Sequence, residues 1–222
     1  MEYENKLREE GIYTELEIQE KLEDKQILDY KINFALDTIP ECLDNKDKII
    51  YKLINGMAND KNSSTFREEI TIHQCGYINS PGKLGEDGFV PVTNRPIEVK
   101  PQNATAKKLG GNGQFTDFTH SRIEKYKGNN ILMVVSGFYN GKLKFIVEFD
   151  FISEKFIEHI KSKVSKSLPN GDEPSKYCRN AGFGWNQWKD ADNLRLLYLS
   201  NNIDKKMFTA PLLKFIHSLE KT

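Results

Sequence analysis

The stretch GEDGFVPVTNRPIEVKPQN, residues 85–103, reads as two short strands, DGFVPV and RPIEVKP, joined at the turn-forming TNRP. Pro91 and Pro96 each remove a ladder donor, so the pairing is expected to be irregular. Residues two apart on a strand share a face, so Glu98 and Lys100 project together while Ile97 and Val99 point into the core. GEDG places Asp87 at the start of the first strand, where a hairpin can carry a second carboxylate toward Glu98. A tight TNRP turn would set Pro91, not Asp87, opposite Glu98, so the strands must splay or bulge for the two acids to meet. The plain structural alternative is an exposed strand face carrying a weak ion pair.

Working outward, the glycine-rich KKLGGNGQ is followed by FTDFTHSRIEKYKG, whose Phe115, Phe118, Ile123 and Tyr126 fit a helix closed by Gly128. ILMVVSGF and KLKFIVEFDF are apolar strands separated by the hairpin signal YNG. SEKFIEHIKSKVSKSL is an amphipathic helix with Ser153 as N-cap and Glu154 in its first turn. On the N-terminal side, EEITIHQCGYI alternates as a strand, and helices are expected over 14–39, ending before Pro40, and over 46–58. The tail adds a strand, LRLLYLS, and a helix, APLLKFIHSLEK. This order predicts an α/β (α+β) fold, a central mixed β-sheet flanked by helices. One domain is expected over 1–222, with N-terminal helices in 1–60, a core over about 65–165 and a C-terminal region over 169–222.

The 32 basic and 32 acidic residues cancel, so any surface for a polyanion must come from local segregation of charge. Cys42, Cys75 and Cys178 are too few and too widely spaced for a disulfide framework or a zinc knuckle. The four histidines lack metal-ligand spacing. No apolar run approaches the ~18 residues of a membrane span, and the expectation is a soluble cytoplasmic protein with no membrane partner.

Asp87 and Glu98 are hard oxygen donors, and with a backbone carbonyl they make a partial Mg²⁺ site. The Lys100 charge beside it would favour hydroxide and stabilise negative charge accumulating on a phosphate under attack. Asp87, an eleven-residue interval and then Glu98-Val99-Lys100 resembles the PD-(D/E)xK nuclease signature, with Glu86 standing where that signature has proline. The element order around it, over about 65–165, is similar to that superfamily's core, and GED, IEVK, the glycine loop and RIEKYKG are most similar to type II restriction endonucleases. The resemblance implies a restriction-endonuclease-like core with Mg²⁺ held by Asp87, Glu98 and the Val99 carbonyl. It further implies that Lys100 positions or activates the attacking water, and that a homodimer cuts double-stranded DNA at a short palindrome. A further acid in this superfamily can come from outside the strand pair; in FREE the candidate is Glu69, with Glu68 beside it. Gln114 to Phe118 echoes a family Q-x-x-x-Y pattern, with phenylalanine replacing tyrosine.

Residues 100–127 hold six cations, Lys100, Lys107, Lys108, Arg122, Lys125 and Lys127, against Asp117 and Glu124. With Asn103, Asn112 and Gln114 to bond bases or phosphates, the segment reads as a DNA-facing loop, or otherwise as a solvated lysine-rich turn. YCRNAGFGWNQWKDAD offers Arg179, Asn180, Asn186 and Gln187 for base reading; its structural alternative is a loop anchored by Trp185 and Trp188. Two other functions compete with restriction: a repair or resolvase-type nuclease on the same core, and a non-catalytic DNA-binding domain.

Overall fold

A computed structural model of the chain describes residues 54, 56–59, 64–80 and 85–220. By its internal contacts the chain divides into Met1–Asn55 and Gly56–Thr222, and every element below belongs to the second unit. The helix expected over 14–39 and most of that expected over 46–58 lie outside the described residues; 56–59 are helical.

Six strands form a mixed sheet in the order β1 (Ile78–Asn79), β2 (Gly88–Phe89), β3 (Pro96–Ala104), β5 (Leu132–Tyr139), β6 (Lys142–Asp150) and β8 (Arg195–Leu199). Only β3 and β5 run parallel. A parallel pair needs a long crossover. Here the crossover holds β4 (Gly113–Phe115) and helix α2 (His120–Gly128). β4 pairs away from the main sheet with β7 (Ala181–Phe183), as a two-stranded antiparallel ribbon. The remaining helices are α1 (Ser64–Gln74), α3 (Glu154–Ser167), the single turn α4 (Trp185–Trp188) and α5 (Ala210–Leu219).

β5 and β6 are buried along almost their whole length because both their faces are covered, and most of their residues are apolar, with Ser136, Lys144, Glu148 and Asp150 as buried exceptions. Between them Asn140 (φ 52°) and Gly141 (φ 76°) are both left-handed, the requirement of the primed turns that match strand twist. One face of the sheet, with Met133, Val135, Phe145, Val147 and Phe149, packs against Ile123 and Tyr126 of α2 and Phe156, Ile160 and Val164 of α3. The register Glu98↔Met133 and Lys100↔Val135 puts Glu98 and Lys100 on that face, and Ile97 and Val99 on the other. On the other face Thr71 of α1 hydrogen-bonds Ser136 (2.7 Å). At Gly137 the β5 backbone runs under the Phe145 ring, with no room for a Cβ. Gly137→Ala is therefore expected to cost about 2 kcal/mol in urea unfolding, by forcing a core aromatic off its rotamer.

Four sequence expectations need correction. EEITIHQCGYI is mostly helix α1, not strand: the buried Arg67, Ile70 and Thr71 recur at three- and four-residue steps, and the alternation in ITIH is too short to outweigh them. The Thr71 hydroxyl back-bonds the Arg67 carbonyl (2.8 Å), while the Arg67 guanidinium donates to the carbonyl of Ala58 (2.7 Å). Second, DGFVPV contributes only Gly88–Phe89 to a strand. Residues 90–95 form the turn, with Val90 N–H on the Arg95 carbonyl and Asn94 N–H on the Val90 carbonyl (2.9 Å each), and Val92 is 95% exposed. Third, the helix after the glycine loop starts only at His120, so Gln114 and Phe115 are strand residues and no Q-x-x-x-Y pair lies on a helix. Phe118 exchanges backbone hydrogen bonds with Cys178, and Thr119 caps the helix by accepting from Arg122 N–H. Fourth, Ser153 stands at the N-cap of α3 but does not cap it: its hydroxyl donates to the Asp150 carbonyl (2.7 Å) and accepts from Asp192 N–H (2.8 Å).

The hairpin β5–β6, helix α3, strand β8 and helix α5 fall where the sequence places them. Among the described residues no helix is long and apolar enough to cross a membrane.

Candidate active site

The turn over 90–95 settles the register of the hairpin. Gly88 faces Ile97 and Phe89 faces Pro96, and one residue beyond that ladder Asp87 also reaches Ile97, a bulge-like irregularity that brings its side chain toward the Glu98–Lys100 stretch. Asp87 N–H donates to the Ile97 carbonyl (3.1 Å). β2 stops there, and the next N–H along that edge of β3, from Val99, is accepted by the Asp87 carboxylate through Oδ2 (2.6 Å). The Asp87 side chain thus takes the place of the missing strand partner, which fixes where its charge lies. The Val99 carbonyl lies on the same strand edge as its N–H.

Glu98 is 4% exposed. Lys100 Nζ pairs with its Oε1, and the Tyr126 hydroxyl donates to its Oε2 (2.7 Å). Tyr126 comes from α2, one turn beyond Arg122, whose guanidinium reaches the tyrosine hydroxyl (3.4 Å) and stacks near the Phe118 ring. Lys100 Nζ lies 5.3 Å from the Phe115 ring centroid of β4. Burial opposes the Lys100 charge, but Glu98 and Asp87 outweigh it and hold the amine above its ordinary pKa, so Lys100 is a cation.

Glu68 of α1 joins this group. Its carboxyl is pushed up to about 7, first by burial and then by Asp87, with Glu98 adding to the push and Lys100 opposing it. Asp87 is pushed up to about 6, first by burial and then by Glu98, against Lys100, the Val99 N–H and Arg122. Burial and Glu98 also raise the Tyr126 hydroxyl, which keeps it a donor. Three carboxylates therefore share one region with Lys100 and the half-buried Arg122, and their upward shifts come first from burial and then from mutual repulsion.

Asp87 and Glu98 present the hard oxygens that suit Mg²⁺, and a divalent cation would relieve the repulsion between them. Among the described residues, however, no group of three or more His, Cys, Asp or Glu is close enough to hold a metal ion. The residues fit at most a two-carboxylate site with the Val99 carbonyl, and a cation there would have to compete with Lys100 and Tyr126 for Glu98.

Asp87, Glu98, Val99 and Lys100 come together as the sequence suggests. Glu69 is exposed on α1, and it is Glu68 that is coupled to the site. Asn103 is half-buried, with its amide engaged by Asn59 and the Gly141 N–H (3.2 Å each), so it is not presented to a partner. Lys107, Lys108, Asn112, Gln114, Arg179 and Asn180 are exposed. Gln187 spends its side-chain oxygen on Gly184 N–H (2.9 Å), and Trp188 is fully buried with its indole N–H on the Gly111 carbonyl (2.8 Å), the anchored-loop arrangement. Tyr126 and Arg122 were legible only as a core aromatic and a surface cation. Their four-residue spacing within SRIEKY is the signal that one helix face carries both.

The fold and site together define a mixed α/β chain with an acidic, lysine-containing cluster at the start of a central strand pair. No family model and no curated protein matches the chain.

Proposed function

We propose that this chain is a Mg²⁺-dependent endodeoxyribonuclease of the type II restriction class on a restriction-endonuclease-like core. It would hydrolyse phosphodiester bonds in double-stranded DNA at a short palindromic site, as a homodimer. The observation that carries this reading is the Asp87 carboxylate seated on the Val99 N–H, between Glu98 and Lys100 in sequence and coupled to both, with Lys100 paired to Glu98. Asp87, Glu98 and the Val99 carbonyl would hold Mg²⁺, which when bound supplies Lewis-acid stabilisation of charge on the phosphate. Lys100, held protonated, orients water and stabilises negative charge; it is not a proton acceptor. Glu68, pushed up to about 7, is the group poised to exchange a proton near neutral pH. Tyr126 fixes the Glu98 carboxylate, so Tyr126→Phe is expected to lower cleavage about tenfold with the fold retained.

The test is digestion of a sequenced plasmid by the full chain with Mg²⁺. Discrete fragments with a common end sequence are expected, whereas preference for branched or damaged substrates supports a repair or resolvase-type nuclease. Duplex binding with no cleavage in Mg²⁺ or Mn²⁺ supports the non-catalytic DNA-binding reading, which draws its strength from the engagement of both Glu98 oxygens by Lys100 and Tyr126.

A further inference from the structure

The β4–β7 ribbon joins two polar segments that are far apart in sequence and sets them beside Lys100. Its pairing, Gly113↔Phe183, Gln114↔Gly182 and Phe115↔Ala181, alternates faces. Phe115, Ala181 and Phe183 turn into the core. Gln114 is exposed on the other face, and Asn180, two residues before Gly182, lies exposed on that face too. Gly182 leaves these amides uncovered, and a Cβ there would press on Asn180 Oδ1 at 3.1 Å. No hydrogen bond of the Gln114 or Asn180 side chain is found among the described residues. Residues 105–116 and 177–188 contain Lys107, Lys108 and Arg179, all exposed, and no acid, so this surface is basic in a chain whose charges cancel.

We propose that the outer face of the β4–β7 ribbon enters the major groove of duplex DNA. Gln114 and Asn180 read base edges there, while Lys107, Lys108 and Arg179 contact flanking phosphates. The proposal rests on the DNA-cleaving reading and names the element that gives it sequence preference. The groove, about 12 Å wide, admits a two-stranded ribbon, and Gln and Asn match the donor-acceptor pair of adenine. The ribbon is also mounted on the chemistry: Phe115 lies beneath the Lys100 amine, and a Cβ on Gly113 would stand 2.9 Å from Lys100 Cβ. A misfit at the reading face therefore displaces a residue in contact with Lys100.

The test incubates the full chain, with Ca²⁺ in place of Mg²⁺, with a pool of duplexes carrying a randomised centre, and sequences the bound fraction. The wild type is expected to enrich a short motif. Gln114→Ala and Asn180→Ala should each lose roughly tenfold or more of preference at one or two base pairs, with affinity for the whole pool within about threefold of wild type. Lys107→Ala with Lys108→Ala should weaken binding to all sequences and flatten its salt dependence while keeping the motif. No motif from the wild type, or an unchanged motif from the Gln114→Ala/Asn180→Ala double variant, overturns the proposal. Plasmid digestion with Mg²⁺ in parallel separates the two ideas. An enriched motif without cleavage sinks the nuclease reading alone; discrete cleavage with the motif unmoved by the double variant sinks the ribbon alone.

Discussion

Asp87→Asn is expected to lower Mg²⁺-dependent DNA cleavage by about 10³-fold or more while raising the thermal stability of the metal-free protein. Asparagine keeps a carbonyl oxygen to accept the Val99 N–H, so the strand edge stays satisfied. What disappears is a negative charge that burial and Glu98 already make costly, as the upward shift to about 6 records. A carboxyl whose folded pKa exceeds its unfolded value costs stability above the folded value, so at pH 8 its removal should stabilise by about 1 kcal/mol. Gel assays of cleavage and thermal melts in EDTA check the pair of outcomes. Cutting at the wild-type rate would remove Asp87 from the reaction, and lost cutting with a lowered melting temperature would make it a structural residue. Lys100→Ala cannot make this separation, because it strands the buried Glu98 carboxylate and should destabilise by about 3 kcal/mol or more whatever Lys100 does in catalysis.

Why Asp87 lies near Glu98 although its hairpin differs from the one TNRP suggests is a matter of which signals are local. Alternation in IEVK fixes the faces of Ile97, Glu98, Val99 and Lys100 without knowledge of any partner, and the register confirms those faces. TNRP signals a turn by composition, but a backbone hydrogen-bond pattern decides its length: Val90 to Arg95 encloses Pro91, which has no N–H to give a ladder. The apolar runs of β5 and β6 and the YNG turn carry enough information by themselves, so that hairpin was legible residue by residue. Helix α1 was not, since its buried stripe includes Arg67 and Thr71, polar residues whose burial depends on the Ala58 carbonyl and on Ser136, 65 positions away from Thr71. The same non-locality hid Glu68 behind Glu69: adjacent acids are equivalent in sequence, and only a helix phase tells which one meets Asp87. The β4–β7 ribbon was invisible because α2, β5, β6 and α3 lie between its strands in the chain, and each strand is three residues long. Its two halves were separately legible as polar, glycine-rich and basic.

The helix phase that separates Glu68 from Glu69 has a measurable consequence in the pH dependence of cation binding. With Asp87 at about 6 and Glu68 at about 7, the native state holds protons that the unfolded chain releases near pH 4. Between those limits the unfolding free energy of the metal-free protein should therefore fall as pH rises. Mg²⁺ reverses the sign, because it binds the ionised carboxylates and must displace whatever protons they carry. If both must be ionised, apparent Mg²⁺ affinity should rise ~100-fold between about pH 5.5 and 7.5; if Asp87 alone must be, the rise should be only ~4-fold. Thermal-shift titrations with Mg²⁺ across that range read the difference without any need for cleavage. Glu68→Gln should collapse the steep dependence to the shallow one, and Glu69→Gln should leave it steep, since the exposed Glu69 has no part in the cluster. A wild-type protein already on the shallow curve would uncouple Glu68 from cation binding and leave its raised pKa as a cost of packing α1 against β3. A protein whose stability does not respond to Mg²⁺ at any pH would remove the cation altogether, and with it the chemistry assigned to Asp87 and Glu98.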